Sequence, residues 1–227
     1  MLLNAASVLV VAAHPDDEVL GCGGTIARHA DAGATVDILF LADGLSSRGA
    51  TKSSDIEERS QAAIVAAEIL GAQTPHFLNF PDNSMDSVPL LDVVQSVETA
   101  LGSKKYNLIY THSLADLNVD HQIAARAVRT AARPLPGQSV AAILAFEVPS
   151  STEWGFNSDS GTPFNIVIDI DEQIDRKVAA LSVYEKELRA PPHPRSQANV
   201  LSLAQLRGAT HGFRHGEAFS LVRASLA

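Results

Sequence analysis

The sequence predicts an α/β fold, with one Rossmann-like, mostly parallel sheet and helices on both faces, in a single domain that spans residues 1–227. A chain of 227 residues fits one such domain better than two. Hydrophobic residues at 46% and charged residues at 19% are typical of a globular protein. Apolar, β-branched runs alternate with helical patterns along the chain, which indicates βαβ units.

Each predicted strand is an apolar run that ends in a polar or glycine-containing turn. The first, SVLVVAA at 7–13, is apolar throughout, which predicts a strand buried on both faces of a parallel sheet. The later predicted strands are 35–41, 76–80, 106–111, 140–147 and 165–170.

The segments between the strands have helical periodicity and helix-stopping residues. Gly33 and Gly71 close the first two helices, and prolines follow the fourth. The predicted helices are 25–32, 55–70, 90–101, 122–132 and 171–188, with another from residue 201 that leads into a final strand or loop.

Composition excludes several classes of function. A formal charge of −9 opposes binding to nucleic acid, whose phosphate backbone needs a basic face. The single cysteine, Cys22, excludes an internal disulfide. No apolar run reaches the roughly 18 residues of a membrane span, and the first apolar run does not resemble a signal peptide. We therefore expect a cytoplasmic protein without membrane insertion, and homo-oligomerisation is left open.

Polar clusters follow the predicted strands at 14–18, 43–44, 81–83 and 112–121. In a parallel sheet, ligands bind beyond the carboxyl ends of the strands, so these clusters are expected to converge. The first cluster places His14 and three carboxylates within five residues, and imidazole and carboxylate are ordinary zinc ligands. The alternative is an acidic loop that caps the next helix, because carboxylates favour the positive helix end.

The second cluster, 116–121, also follows a strand and opens a helix. Its His121 would complete a histidine–carboxylate–histidine set that leaves one metal position open for water, as in hydrolytic zinc sites. Taken alone, His121 fits a helix-capping histidine equally well. The pairing with His14 favours the metal site.

The motif AHPDDE at 13–18, followed by a glycine-rich helix start and by Asp120-His121, resembles the LmbE/PIG-L family of de-N-acetylases. Weaker matches occur in the same order as in that family. They are Arg59 with Ala66, Leu70 and Gly71; Pro81-Asp82; Arg207-Gly208; Gly212; and Glu217-Ala218-Phe219.

The resemblance implies a zinc-dependent hydrolase that removes acetyl from a small N-acetylated amino sugar of the N-acetylglucosaminyl type. Carried over, one Zn²⁺ per chain is held by His14, Asp17 and His121, and Asp16 is the general base. We expect Asp120 to orient a ligand or acid imidazole.

Two positions depart from the family pattern. Asn118 replaces a histidine found in some members, and Asp116 replaces an oxyanion-stabilising tyrosine. Another group must then donate a proton, and the proline-flanked His193 is our candidate, with His112 as the alternative. A surface-loop role for His193 is left open.

Three residues are predicted to bind substrate: Arg59, Asp82 and Asn118. Without the resemblance, Arg59 is a solvated helix charge and Asp82 a turn former. Trp154 fits a sugar-stacking face or a core residue.

Competing interpretations concern both the function and the glycines of 21–24. A zinc amidase that acts on a thiol conjugate or other non-sugar amide would need the same metal site, and a non-catalytic carbohydrate-binding protein would not need Asp16. The glycines do not fit a dinucleotide fingerprint and favour close helix–sheet packing, with Cys22 as a small core residue.

Overall fold

The structure is a computed structural model, and it describes residues 2–49, 52–156 and 164–225. The strands of the described chain are β1 Ser7–Ala12, β2 Thr35–Ala42, β3 His76–Phe80, β4 Leu108–His112, β5 Ala142–Phe146, β6 Ile166–Asp169 and β7 Gly216–Ala224. The α-helices are α1 Asp17–Asp31, α2 Ser53–Leu70, α3 Leu90–Ser103, α4 Val119–Ala131, α5 Ile174–Val183 and α6 Gln197–Ala209. Within these ranges every helix is too short or too polar to cross a membrane.

All seven strands join one sheet in the order β3-β2-β1-β4-β5-β7-β6. The first five are parallel, and β7 runs antiparallel to both β5 and β6. The prediction of a mostly parallel sheet is confirmed. The chain order reverses between β1 and β4, which opens a crevice beyond the carboxyl ends of these two strands.

Helices cover both faces of the sheet, as predicted. Alternate residues of β1 divide between two cores because successive side chains of a strand point to opposite faces. Val8 and Val10 pack with residues of α1, α2, α5 and α6. Leu9 and Val11 pack with residues of α3 and α4. Strand β1 is therefore central and buried on both sides, as its continuous apolar run indicated.

The predicted start of the first helix was wrong. Helix α1 begins at Asp17, not at residue 25, and includes the glycines. A Cβ on Gly21 would collide with the ring of Phe146, and one on Gly24 would lie 2.7 Å from Ile170 Cδ1. These glycines allow close packing, as predicted, but they do so from inside the helix.

Two later boundaries also differ from prediction. Helix α5 ends at Val183, five residues early, and the chain turns there with Glu187 N–H donating to Tyr184 O at 2.9 Å. Helix α6 begins earlier than predicted, at Gln197, because the Ser196 side chain caps it by accepting from Asn199 N–H at 3.2 Å.

Helix α1 is interrupted at Cys22, which is buried and has a non-helical φ of −148°. Just beyond the break, the amides of Gly24 and Thr25 donate to the carboxylate of Glu217 at 2.9 and 2.7 Å. Lys177 pairs with Glu217 and also donates to a carbonyl in the first half of the helix. A buried ion pair thus replaces backbone hydrogen bonds across the interruption.

Candidate metal centre and active site

The turn between β1 and α1 holds the first polar cluster at the crevice. The His14 N–H donates to Asp17 Oδ2 at 2.9 Å, and the Asp16 N–H donates to Glu18 Oε2 at 2.9 Å. Asp16 has a φ of +118°, a conformation that non-glycine residues rarely adopt. The tight turn directs Asp16 and Asp17 to different partners.

The loop between β4 and α4 holds the second cluster. Asn118 caps α4, since its side-chain oxygen accepts from the amides of Asp120 at 2.8 Å and His121 at 3.4 Å. Asp116 in turn accepts from Asn118 N–H at 2.9 Å. These hydrogen bonds place Asp120 and His121 in the first turn of the helix, facing the β1–α1 turn.

The three predicted metal ligands come together and are buried. Asp17 Oδ2 lies 3.2 Å from His121 Nε2 and 3.4 Å from His14 Nδ1. Tetrahedral zinc with bonds of about 2.1 Å separates its ligand atoms by about 3.4 Å. The spacing of these side chains fits a single zinc ion.

Unpartnered atoms support the same conclusion. Among the residues that the structure describes, Asp17 Oδ1 is buried without a hydrogen-bond partner, and the buried His121 Nε2 lies near Asp17 Oδ2 without the geometry of a hydrogen bond. A buried polar atom without a partner is costly, and a metal ion would satisfy both of these. The residues present therefore fit a divalent cation held by His14, Asp17 and His121.

Both predicted ligand histidines contact carboxylates through the ring nitrogen that does not face Asp17. His14 Nε2 lies 3.0 Å from Asp120 Oδ2 and 3.2 Å from Asp82 Oδ1. His121 Nδ1 lies 3.1 Å from Asp116 Oδ1. Such partners fix the ring tautomer and strengthen the imidazole as a ligand. Asp120 thus contacts a predicted ligand imidazole, whereas sequence reasoning missed the contact of Asp116 with His121.

The charges of the pocket favour a cation. Burial opposes the charged form of both histidines, yet the neighbouring aspartates raise the pKa of His14 well above its usual value. Burial also lowers the pKa of His121, but Asp17 and Asp116 outweigh that effect and raise the pKa to about 9. Carboxylates outnumber imidazoles in this pocket, so its electrostatic potential favours protons or a metal ion.

The side chains predicted to bind substrate are already engaged within the protein. Arg59 donates to Pro15 O through Nε at 3.1 Å and Nη2 at 2.6 Å, and pairs with Glu187 through Nη1. Asp82 accepts from Ser47 Oγ at 2.5 Å, besides its contact with His14. Although burial opposes it, these hydrogen bonds lower the pKa of Asp82 to about 2.

The remaining side-chain nitrogen of Asn118 donates to Asn83 Oδ1 at 3.0 Å. The backbone N–H of Asn83 donates to Asp120 Oδ2 at 2.7 Å. Asn118, which occupies the position of the family's histidine, therefore acts in the structure as a helix cap and a loop contact.

Two arginines hold the predicted general base. Asp16 Oδ1 lies 3.3 Å from Arg59 Nη2, and Asp16 Oδ2 lies 3.0 Å from Arg195 Nη1. Burial raises the pKa of Asp16 above its usual value, and the two guanidinium groups oppose that rise. No sequence signal pointed to Arg195, because it lies 179 residues from Asp16 in a proline-rich loop.

The predicted proton donor, His193, belongs to the same loop. Its Nδ1 accepts from the backbone N–H of Arg195 at 3.1 Å, so Nε2 is the nitrogen that carries a proton. The ring packs edge-on against Trp154, with centroids 5.9 Å apart. Trp154 is 37% exposed, so it is not a core residue.

The alternative donor, His112, has a packing role. Its Nε2 accepts from the Ala13 N–H at 2.8 Å, and its ring stacks on His121 with centroids 3.9 Å apart. Burial and the neighbouring His121 lower the pKa of His112 to about 3. A ring held neutral in this way supports the β1–α1 turn and the ligand His121.

Residues 9–132, which contain both polar clusters, match the family model of the GlcNAc-PI de-N-acetylases, PIG-L. The chain belongs to the PIG-L family. The family resemblance predicted from the AHPDDE motif is confirmed, and the chain is an enzyme of this deacetylase family.

Curated relatives differ in their named activities. One is a 4-oxalmesaconate hydratase of Pseudomonas putida, 30% identical over 77% of this chain and 71% of that protein. Another is a 1D-myo-inositol 2-acetamido-2-deoxy-α-D-glucopyranoside deacetylase of a Mycobacterium species, 26% identical over 84% of this chain and 77% of that protein.

A solved structure shows the same fold. It is the N,N'-diacetylchitobiose deacetylase of Pyrococcus horikoshii, with a TM-score of 0.76 and 21% identity, covering 96% of this chain and 84% of that chain. The observed α/β architecture is therefore the architecture of this family.

Proposed function

We propose that the chain is a zinc-dependent hydrolase that removes the acetyl group from an N-acetylated amino sugar. The observation that carries the proposal is the buried set of His14, Asp17 and His121, with the carboxylate of Asp16 beside it. A zinc ion held there would supply Lewis acidity, which lowers the pKa of water so that hydroxide is available to attack an amide at neutral pH.

The chain's own residues account for the proton transfers. Asp16 accepts a proton from the attacking water as the new C–O bond forms at the acetamide carbon. The C–N bond then breaks, and the departing amine takes up a proton to leave as the free amino sugar. General acid–base catalysis of this kind contributes roughly 10²–10⁴-fold to the rate.

We propose His193 as the donor of the proton to the amine. The donating form would be the imidazolium, because a neutral imidazole is too weak an acid to protonate an amine. The position of the residue supports this role: Arg195, in the same loop, contacts Asp16 Oδ2 at 3.0 Å. Without His193, Asp16 would have to return the proton that it had accepted.

Arg59, Asp82 and Asn118 stay as proposed contacts for sugar hydroxyls. Each already hydrogen-bonds within the protein, so a hydroxyl would share these atoms with their present partners. The carboxylate of Asp82 has lone pairs left to accept a hydrogen bond from a sugar hydroxyl.

A neutral sugar suits the charges of the site better than the substrate of the hydratase relative, which is a carboxylate by its name. Both arginines near the proposed base are paired with carboxylates, Arg59 with Glu187 and Asp16, and Arg195 with Asp16. Four further aspartates surround the ligand histidines. The site is therefore poorly suited to a polyanion.

The deciding experiment measures acetate released by the zinc-loaded protein. Substrates would be N-acetylglucosamine, its inositol and malate conjugates, diacetylchitobiose and an N-acetylated thiol conjugate. We expect release from at least one sugar and none from the metal-free protein. Release from the thiol conjugate alone would identify an amidase of non-sugar substrates. Sugar binding without turnover would identify a carbohydrate-binding protein, and hydration of 4-oxalmesaconate would identify a hydratase.

A further inference from the structure

Arg195 joins three segments that are far apart in the sequence. It lies in the loop 184–196 between α5 and α6, and its Nη1 contacts Asp16 Oδ2 at 3.0 Å. Its Nε donates to Ser150 Oγ at 2.7 Å and to Pro149 O at 3.3 Å, in the segment after β5. One guanidinium group thus fastens two loops to the side chain of the proposed base.

The two arginines at Asp16 differ in their surroundings. Arg59 has a side chain that is 6% exposed. It forms ion pairs with Asp16 and Glu187 and donates hydrogen bonds to a backbone carbonyl. The side chain of Arg195 is 19% exposed, and within the described residues Asp16 is its only carboxylate partner at ion-pair distance. Arg59 is part of the packed structure beneath the turn, whereas Arg195 stands at its rim.

Asp16 has a particular need for such a partner. It is adjacent in sequence to Asp17, and two buried carboxylates side by side repel each other. Asp17 contacts the histidines, and Asp16 contacts the guanidinium groups, which offset the repulsion between the two carboxylates. The positive φ of Asp16 is a further strain that neighbouring contacts must offset.

We infer that Arg195 is a positioning residue, which holds the Asp16 carboxylate in the orientation from which it accepts the proton of the attacking water. This inference rests on the proposed function, in which Asp16 is the general base. Arg195 acts through Asp16 and not on the metal ligands. Its loss should therefore slow turnover without releasing zinc.

The test compares Arg195→Ala and Arg195→Lys with a matched control, Arg207→Ala. Arg207 forms a similar pair with Glu147, at 2.8 and 2.6 Å, and its side chain is 30% exposed, but it lies on α6 outside the site. Each variant is assayed for kcat, KM, bound zinc and thermal unfolding. The alanine variants are assayed again with added guanidinium chloride at low, non-denaturing concentration.

We expect kcat of Arg195→Ala to fall by about 10²-fold, as a misplaced catalytic group does, with zinc content unchanged. Arg195→Lys keeps the charge but loses the planar fork, so its kcat should lie between those of the wild type and the alanine variant. Added guanidinium should partly restore Arg195→Ala and leave Arg207→Ala unchanged.

A kcat of Arg195→Ala within about twofold of wild type would overturn the inference. So would a loss of kcat that guanidinium does not restore, or one that follows zinc loss or a lower Tm than that of Arg207→Ala. If the wild type hydrolyses no amide, the proposed function fails by itself. A crystal structure of zinc-loaded Arg195→Ala then decides the positioning: a displaced Asp16 carboxylate supports it, and an unmoved one refutes it.

Discussion

The two sides of the candidate site are built in different ways. On the metal side, His14 and Asp17 follow the end of β1 directly, and His121 lies in the first turn of α4, which Asn118 caps. On the base side, Asp16 is held by Arg59 from α2 and by Arg195 from a distant loop. The sheet and the helix caps therefore set the metal geometry, and tertiary docking of side chains sets the geometry of the base. Substitutions on the metal side should therefore remove zinc, whereas substitutions on the base side should lower kcat and leave zinc bound.

The largest effect is expected on the metal side. A His14→Ala/His121→Ala double variant removes two of three ligands, so bound zinc should fall to near zero and activity should disappear. Zinc content by elemental analysis is the measurement. His29→Gln is the control, since His29 is a buried histidine on α1 outside the metal group. Stoichiometric zinc in the double variant would reject the ligand assignment.

On the base side, Asp16→Asn should retain zinc and lose roughly 10²–10⁴-fold in kcat, because an amide cannot accept the proton. Steady-state kinetics on metal-loaded protein is the measurement. Near-normal kcat with zinc present would mean that the base lies elsewhere. A loss of zinc together with kcat would mean that the two sides are not independent.

His193→Ala should lower kcat by roughly 10²-fold without releasing metal, and it should alter the basic limb of the kcat–pH profile. His76→Ala is the matched control, because His76 is exposed at the start of β3, whereas the site lies beyond the carboxyl ends of the strands. An unchanged rate and profile would leave Asp16 as the sole group that moves protons.

Asp116→Asn should weaken zinc binding by about 10–100-fold, because this carboxylate orients the ligand His121. Competition with a chelator of known affinity is the measurement. Asp37→Asn is the control: Asp37 is equally buried, but it pairs with Lys104 outside the site. Equal zinc affinity in both variants would contradict the orienting role.

A smaller effect, on stability alone, is expected at His29. Burial, with a contribution from Arg28, lowers its pKa to about 4 in the folded protein, against 6.5 when exposed. Between these values the unfolded chain binds more protons, so the contribution of His29 to stability should fall by about 3 kcal/mol as the pH drops from 6.5 to 4. Urea unfolding across this range should show that loss in the wild type and less of it in His29→Gln. Equal pH dependence of unfolding free energy in the wild type and in His29→Gln would refute this role of His29.

Sequence reasoning predicted the sheet-built part of the molecule well. The alternation of apolar runs and helical periodicity predicted the sheet, and the polar residues after β1 and β4 indicated a shared edge. The start of α1 was missed because tertiary packing against Phe146 and Ile170 outweighs the poor helix propensity of glycine.

The contacts of the base side had no comparable signal. The sequence around Arg195 gives no indication that its guanidinium reaches Asp16, since no periodicity or capping rule links positions so far apart. Asp116 could have been found, because an aspartate two residues before a helix-capping asparagine is a common turn former. Its contact with His121, however, depends on the approach of two loops in space.

The ion pair across the interruption of α1 also bears on how the protein is made. The amides of Gly24 and Thr25 acquire their partner only from Glu217 of β7, more than 190 residues further along the chain. During synthesis, the helix that carries Asp17 therefore emerges long before the residue that completes it. Contacts between residues so distant in sequence are associated with slower folding, so we expect β7 to dock late. Hydrogen exchange at these two amides should accordingly report the separation of β7 from α1 rather than fraying at the end of the helix.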